Sequence, residues 1–165
     1  MVRGCYNCQH LFSFTSFTFF DNLKLMSVIS FPPSRFSLPE ASQIAKTLYG
    51  FEASVKVLDS ERDQNFYLKC EDGREFVLKI SNPAEDVELI KLQVASLQHI
   101  ANFDSSIQVP STIQTTGGKF ISRHNGCLIR LQSFLPGHFI KDIENPESFL
   151  LEEFGAFLGK LDVAF

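Results

Sequence analysis

The sequence predicts an α+β fold, with an antiparallel sheet of about five strands and one helix inserted after the third strand. Three observations carry this prediction. Apolar and polar residues alternate over several short segments, glycine-containing turns separate those segments, and one longer segment between them has helical periodicity. At 165 residues the chain is long enough for one ordinary domain or for part of a larger one.

The first helix and strand are predicted by local signals. Ser37 and Glu40 form a capping-box pattern, and apolar residues at helical spacing lead from there to Gly50. Residues 53–58 then alternate between polar and apolar side chains, which predicts a strand. The folded part is therefore expected to begin near Ser37 with a short amphipathic helix.

A β-hairpin is predicted next, over residues 61–70 and 75–80, around a turn at Asp72-Gly73. Its second strand carries Lys79 in an otherwise apolar run. Because side chains alternate along a strand, Lys79 points away from the face that carries Phe76 and Leu78. Lys79 is either a solvated strand lysine or a cation placed to contact an anionic ligand.

Asn82 and Pro83 predict the start of the inserted helix, because Asn favours the N-cap position and Pro the first helical position. We expect this helix to cover residues 83–100. Further strands are expected over three segments, which tight turns at Gly117-Gly118 and Asn125-Gly126 separate. These segments are residues 109–116, 119–123 and 127–134. Asn145-Pro146 opens a final helix, whose apolar side chains include Phe154, Phe157, Leu161 and Phe165.

Composition excludes several classes of protein. Hydrophobic residues make up 44% and charged residues 21%, as in a globular chain. The net charge of −4 argues against a broad nucleic-acid-binding surface, which needs a basic face. No apolar run approaches the roughly 18 residues of a membrane-spanning helix. We therefore expect neither a nucleic acid nor a membrane as a partner.

Cysteine use indicates a reducing compartment. The chain has four cysteines, too few and too scattered for a disulfide scaffold. Cys5 and Cys8 form a single C-x-x-C pattern. This pair either binds zinc or takes part in redox chemistry, or it has no specific role. Cys70 and Cys127 lie in apolar segments and are expected to be small core residues.

Residues 1–36 differ from the rest of the chain. They are rich in Phe, Ser and Thr and contain one acidic residue, Asp21. Two interpretations stay open. The segment is either an organellar transit peptide or a stretch of extra residues, translated ahead of a folded protein that begins near Phe36. We expect a disordered or transit-like leader and a cytoplasmic protein, with an organelle as the alternative location if the leader is a transit peptide.

The order of these elements, with a lysine on the third strand, resembles the N-terminal lobe of the protein-kinase-like fold. In finer detail it resembles the aminoglycoside phosphotransferase family, and within it the hydroxylysine kinases and the kinase-like domain fused to class III aminotransferases. The likeness covers about residues 40–165. It rests on five segments, of which the Ser-Glu-Arg-Asp-Gln-Asn-Phe block is the most specific: residues 48–50, 60–66, 76–80, 130–137 and 158–162. It implies a kinase-like N-lobe over residues 37–135, followed over 136–165 by the hinge and the start of a truncated C-lobe.

The resemblance implies a nucleotide site around Lys79, whose ammonium would contact the α- and β-phosphates. In place of a glycine-rich loop, Ser60, Asp63 and Asn65 would cover the nucleotide, although ordinary turn chemistry explains Asp63 and Asn65 equally well. Gln93 stands where the fold usually places a glutamate that pairs with the lysine. Glu88 is an alternative partner only if the register of the helix slips.

The hinge is expected at Gln132 and Phe134, where the backbone would bind an adenine or guanine base and apolar side chains would enclose it. The resemblance further implies a small-molecule kinase that uses ATP or GTP with Mg²⁺. Its acceptor would be a hydroxylated amino acid such as 5-hydroxylysine.

The transfer chemistry itself is not expected from this chain. No His-x-Asp motif with a trailing Asn occurs in the sequence, so we predict no catalytic residue and no metal ligand here. The chain would then be truncated before the catalytic loop and inactive alone. The alternative is a non-catalytic fragment that binds a nucleotide or a partner, with the apolar face of the last helix exposed for association.

Overall fold

The computed structural model describes residues 35–137, 143 and 148–165, and every structural statement below concerns these residues. Predictions for residues 1–34 and for Asn145-Pro146 lie outside them. The described part contains three α-helices and six strands. They are α1 (Leu38–Ile44), β1 (Ser54–Leu58), β2 (Gln64–Lys69), β3 (Glu75–Ile80), α2 (Val87–Phe103), β4 (Thr112–Ile113), β5 (Ser122–His124), β6 (Cys127–Ser133) and α3 (Ser148–Ala164).

The six strands form one antiparallel sheet. Its order is β1-β2-β3-β6-β4, and β5 pairs with β6 as well. The hairpin of β2 and β3 was predicted around Asp72-Gly73, and Gly73 has the positive φ of 88° that such a turn needs. The predicted α+β class, the antiparallel sheet and the helix after the third strand are confirmed.

Helix α1 begins with the predicted capping box. The backbone N–H of Ser37 donates to the Glu40 carboxylate at 2.8 Å, and the Ser37 hydroxyl accepts from the Glu40 backbone N–H at 3.4 Å. The helix then widens into one π-helical turn, Ala45–Tyr49. Gly50 ends it in the left-handed conformation, with φ of 75°. This turn presents Tyr49 to the core below the sheet.

The main hydrophobic core lies between one face of the sheet and the α1 segment. Alternate side chains of β2, β3 and β6 fill it, as the period of two residues requires. The largest fully buried residues of this face are Phe66, Leu68, Leu78, Ile80, Ile129 and Leu131. Cys70 and Cys127 are buried in the same cluster as free thiols, which confirms their prediction as core residues.

The start of α2 differs from the prediction. Asn82 and Pro83 do not open the helix: the Asn82 side chain accepts from the Ala84 N–H at 3.0 Å and its carbonyl accepts from the Glu85 N–H at 2.9 Å, which closes a turn. The helix begins at Val87. The side chain of the preceding Asp86 accepts a hydrogen bond from the Glu88 N–H at 2.9 Å. The Asn-Pro pattern was correct as a turn signal and wrong as a helix start.

The strand predicted over residues 109–116 is also shorter than expected, because β4 consists of Thr112 and Ile113 alone. Val109 does not enter the sheet and packs instead with Ile107 against α2. The predicted glycine turns are present, and Asn125 and Gly126 both have positive φ, at 47° and 81°.

The described residues fall into two compact units, one of residues 35–94 and 112–134 and the other of residues 95–111 and 135–165. The second has its own apolar cluster. Its members come from the end of α2, the following loop and α3. They are Leu97, Ile100, Ile107, Val109, Ala164 and, partly buried, Phe157 and Leu161.

The prediction of an exposed apolar face on the last helix is therefore wrong in two of its four residues. Phe157 and Leu161 pack against α2, because they lie on the same side of α3 as the buried Ala164. Phe165 is 75% exposed, as expected. None of the helices in the described ranges has both the length and the apolar character needed to cross a membrane.

Candidate functional site

The sheet face opposite the main core carries a row of polar side chains across three strands. Asn65 on β2 lies directly opposite Lys79 on β3, and Lys79 lies directly opposite Arg130 on β6. Directly opposite residues of an antiparallel pair point to the same face. Two positive side chains thus stand side by side on neighbouring central strands, an arrangement that costs free energy unless something offsets it.

Lys79 is half-buried at the centre of this row. The pKa of its ammonium is lowered from 10.5 to about 8, chiefly by burial and secondly by the charge of Arg130, whereas the carboxylate of Asp63 acts in the opposite direction. No hydrogen bond or ion pair to this ammonium occurs among the residues that the structure describes. An anion that binds beside an unpaired, partly desolvated ammonium stabilises its charge.

Arg130 was not predicted as a site residue. Its side chain is only 4% exposed, and its guanidinium donates to groups from three separate segments. The acceptors are Oγ of Ser81 at 2.8 Å, Oε1 of Gln93 at 2.9 Å and Oδ2 of Asp63 at 3.5 Å. The planar fork of an arginine suits such divergent contacts, which a lysine could not reproduce.

Gln93, which was expected as the helix partner of Lys79, lies on α2. The hydrogen bond that its side chain makes is with Arg130, however, and not with Lys79. Glu88, the alternative helix partner, is bound to Lys91 by a 2.8 Å salt bridge on the exposed side of the helix. The helix thus contributes a neutral hydrogen-bond acceptor to the row and no countercharge to Lys79.

The loop between β1 and β2 places Asp63 and Asn65 beside the row. Asp63 is half-buried and pairs with Arg130, so its side chain has a long-range contact that local turn chemistry does not provide. The side-chain oxygen of Asn65 is buried and has no hydrogen-bond partner in the described part of the chain. Ser60 is exposed at the start of the loop. Asp63 and Asn65 therefore gather around Lys79, whereas Ser60 lies farther out along the loop.

A second pair of charged residues borders the same site. Burial raises the pKa of the Glu85 carboxyl, and the nearby charge of Asp63 raises it further, while Arg62 and Arg130 act to lower it. The Nε atom of Arg62 is buried without a hydrogen-bond partner among the described residues. These groups and the central row form one cluster of interacting charges.

Gln132 and Phe134 lie farther along the chain from Arg130, at the end of β6 and just after it. Gln132 is opposite Val77 on β3 and Thr112 on β4, on the face that carries Lys79. The backbone N–H of Phe134 donates to the Glu75 carbonyl at 3.0 Å, so this N–H extends the sheet. The Phe134 ring meets Tyr67 edge to face, with centroids 5.0 Å apart. If a base binds here, the Phe134 ring offers it a contact surface, and other backbone groups must supply its hydrogen bonds.

The described residues do not form a magnesium site. Mg²⁺ prefers a set of carboxylate and other oxygen ligands, and no group of three or more His, Cys, Asp or Glu side chains suitable for a metal occurs in residues 35–137, 143 and 148–165. The carboxylate of Asp63, which acts on Lys79, is already paired with Arg130.

The strand pattern that singled out Lys79 is present at Arg130 as well, but it does not say that the two residues meet. Both are single cations at alternating positions of apolar strands. The missing information was the register, because Lys79 and Arg130 are 51 positions apart and meet only once β3 has paired with β6. Sequence patterns within a strand carry no such information.

Comparisons with known proteins identify the family and the fold of this chain. Residues 54–164 match the phosphotransferase enzyme family. A hydroxylysine kinase from Danio rerio is 35% identical over 115 residues, which cover 63% of this chain and 32% of that protein. The chain thus spans about a third of the length of this relative.

A solved structure shows the same fold. It is that of an amicoumacin kinase in complex with AMP-PNP, Ca²⁺ and Ami, with a TM-score of 0.63 and 18% sequence identity. The superposition covers 78% of this chain and 40% of the kinase. This similarity confirms the protein-kinase-like architecture expected from the order of the elements.

Proposed function

Because the chain belongs to the phosphotransferase enzyme family, we propose that it forms the nucleotide-binding part of a small-molecule kinase. The observation that carries this proposal is the Lys79 ammonium, which is half-buried on a central strand and makes no hydrogen bond or ion pair within the described residues. A nucleoside triphosphate supplies the negative charge that this position lacks. The unpartnered amide oxygen of Asn65 marks a further polar group available beside it.

The other predicted contacts enter the proposal in different ways. Asp63 and Gln93 act through Arg130, to which both are bound. Ser60 and the loop backbone cover the phosphates from the exposed side, and Gln132 and Phe134 border the base. ATP and GTP, each with Mg²⁺, are both proposed as nucleotides, because base recognition through the backbone leaves the two open.

The proposed acceptor is a hydroxylated amino acid such as 5-hydroxylysine. Support comes from the 35% identity to a hydroxylysine kinase, and the proposal concerns the whole protein, since the aligned part is 32% of that relative. The described residues supply neither a catalytic base motif nor a metal cluster. We therefore expect this chain alone to bind nucleotide without transferring phosphate.

Calorimetric titration of the full chain with ATP and with GTP, each with and without Mg²⁺, tests the proposal. Lys79→Ala should weaken binding by about tenfold or more, since charge-assisted contacts of this kind contribute about 1.5–3 kcal/mol. We expect little net change in folding, because the lost contacts of the lysine stem oppose the relief of burying a charge.

Lys46→Ala is the matched control, because Lys46 is an exposed lysine of the α1 segment that pairs with Glu52. It removes the same charge from a different surface and should leave the affinity unchanged. A chain that binds neither nucleotide, or a Lys79→Ala variant that binds as tightly as the parent, would contradict the proposed function.

A further inference from the structure

Arg130 occupies a position that the nucleotide proposal does not by itself explain. It is buried directly opposite Lys79, where a second positive charge opposes the protonation of the lysine. Burying a guanidinium is costly unless its donors are well paired. The guanidinium donates three hydrogen bonds, whereas its Nε atom is buried without a partner among the described residues.

The contacts of Arg130 join three segments that approach Lys79 from different sides. Ser81 follows β3, Asp63 belongs to the loop between β1 and β2, and Gln93 lies on α2. Each of these segments also carries or flanks a residue assigned to the nucleotide site. One buried side chain thus fixes the loop, the helix and the central strand relative to one another.

The charges around Lys79 do not neutralise it. Three side chains lie around it. The carboxylate of Asp63 comes from the loop, the guanidinium of Arg130 from β6 and the neutral amide of Asn65 from β2. Arg62 and Glu85 border the cluster with opposite charges, and α2 contributes only the neutral Gln93. Asp63 is a carboxylate whose charge acts on both cations, and its hydrogen bond is to Arg130.

We propose that Arg130 is a positioning residue for the nucleotide phosphates: it holds Asp63 and Gln93 away from the Lys79 ammonium, which leaves that ammonium free for a nucleoside di- or triphosphate. This inference rests on the proposed function. In the usual kinase arrangement a helix glutamate pairs with the strand lysine. Here the helix side chain at that place binds Arg130, and the lysine has the phosphates as its partner.

The first test needs no nucleotide. Titration of the Lys79 side chain, followed by NMR of its Cε–Hε signals in the full chain, should give a midpoint near pH 8. Arg130→Gln should raise this midpoint by about one pH unit or more, since it removes a neighbouring positive charge and frees Asp63 to approach the lysine. Lys46→Ala should leave the midpoint unchanged. A folded Arg130→Gln chain with the parent midpoint would overturn the inference.

The second test measures affinity for ADP and ATP between pH 7 and 9.5. The parent chain should lose affinity above about pH 8, as Lys79 loses its proton. Arg130→Gln should bind about tenfold more weakly at pH 7, and its remaining affinity should persist to higher pH. A purely structural role for Arg130 would lower the affinity without moving the pH at which it falls, and that result would overturn the inference.

If Arg130→Gln does not fold, Arg130→Lys and Gln93→Leu keep the inference testable. Arg130→Lys retains the charge, so the pH midpoint should stay near that of the parent while the affinity falls, because a lysine cannot make the divergent contacts. Gln93→Leu removes one contact and should also weaken binding. Parent affinity in both variants would refute the role. Failure of the parent chain to bind ADP or ATP would instead refute the proposed function, and the NMR titration would still judge the geometry.

Discussion

The guanidinium of Arg130 donates a 2.9 Å hydrogen bond to Oε1 of Gln93 and thereby joins the central strand β6 to helix α2. The kinase-like fold commonly makes this connection between strand and helix with a lysine and a glutamate. In this chain the connection has moved one strand across the sheet. Lys79, on the neighbouring strand β3, makes no hydrogen bond or ion pair in the described part of the chain.

The buried charge of Lys79 should make folding stability depend on pH. Its pKa is about 8 in the folded chain and 10.5 ordinarily, so between these values the unfolded chain binds more protons. The free energy of unfolding should therefore rise between pH 8 and 9.5. At pH 7, Lys79→Met should be more stable than the parent by up to about 3 kcal/mol, and the difference should shrink as the pH rises.

Urea unfolding at several pH values between 7 and 9.5 measures this effect, with Lys46→Met as the exposed control. The control should follow the parent throughout. A constant difference between Lys79→Met and the parent over this range would mean that the lysine has an ordinary pKa in the folded chain.

Gln64 should be important for holding the backbone of Phe36 on the sheet. Its side chain accepts from the Phe36 N–H and donates to the Phe36 carbonyl, both at 2.7 Å. Gln64→Ala should lower the free energy of unfolding by about 1–3 kcal/mol, as expected for two partly buried hydrogen bonds. Gln64→Glu keeps the acceptor but places a carboxylate oxygen against the Phe36 carbonyl, so its loss should be larger than that of Gln64→Ala at neutral pH. Equal stabilities for the two variants would contradict this account.

The cap of α1 offers a prediction with a smaller magnitude. Ser37→Ala removes the side-chain acceptor for the Glu40 N–H and should cost about 1 kcal/mol in thermal or urea unfolding. Ser37→Asp retains an acceptor at the N-cap and should stay close to the parent. If both substitutions cost the same, the hydroxyl contacts do not stabilise the helix.

Alanine substitutions at two glycines distinguish the cost of backbone strain from the cost of a close side-chain contact. Gly50 and Gly73 have positive φ values of 75° and 88°, so alanine is strained at either position by about 1–2 kcal/mol. A Cβ at Gly50 would lie 3.1 Å from Thr116 Cγ2, whereas one at Gly73 meets nothing within 4 Å. Gly50→Ala should therefore destabilise the chain more than Gly73→Ala in urea unfolding. The reverse order would show that the Thr116 contact yields at no cost.

Local signals predicted most of the fold correctly. The capping box at Ser37, the hairpin turn at Gly73 and the bounds of β3 depend on a few neighbouring residues, and the structure has them as expected. The start of α2 was wrong, because Asn82-Pro83 is compatible with both a turn and a helix start. In the structure Asp86 accepts a hydrogen bond from the Glu88 N–H at 2.9 Å, and α2 begins at Val87.

The site was harder to predict than the fold, because its contacts are distant in sequence. The alternation within β3 was enough to place Lys79 on the polar face. It gave no indication that Arg130, 51 residues later, would lie opposite, or that Gln93 and Asp63 would bind Arg130. Such contacts depend on the register of β3 with β6 and on the docking of α2, and neither is encoded within a single strand.

The central claim is that the Lys79 ammonium receives the phosphates of a nucleotide. The most direct measurement is the NMR titration of the Lys79 side chain in the full chain, with and without saturating ATP. Bound phosphates should stabilise the protonated lysine and raise its midpoint from about pH 8 by at least one unit. An unchanged midpoint in a chain that has bound ATP would place the phosphates elsewhere and contradict the claim.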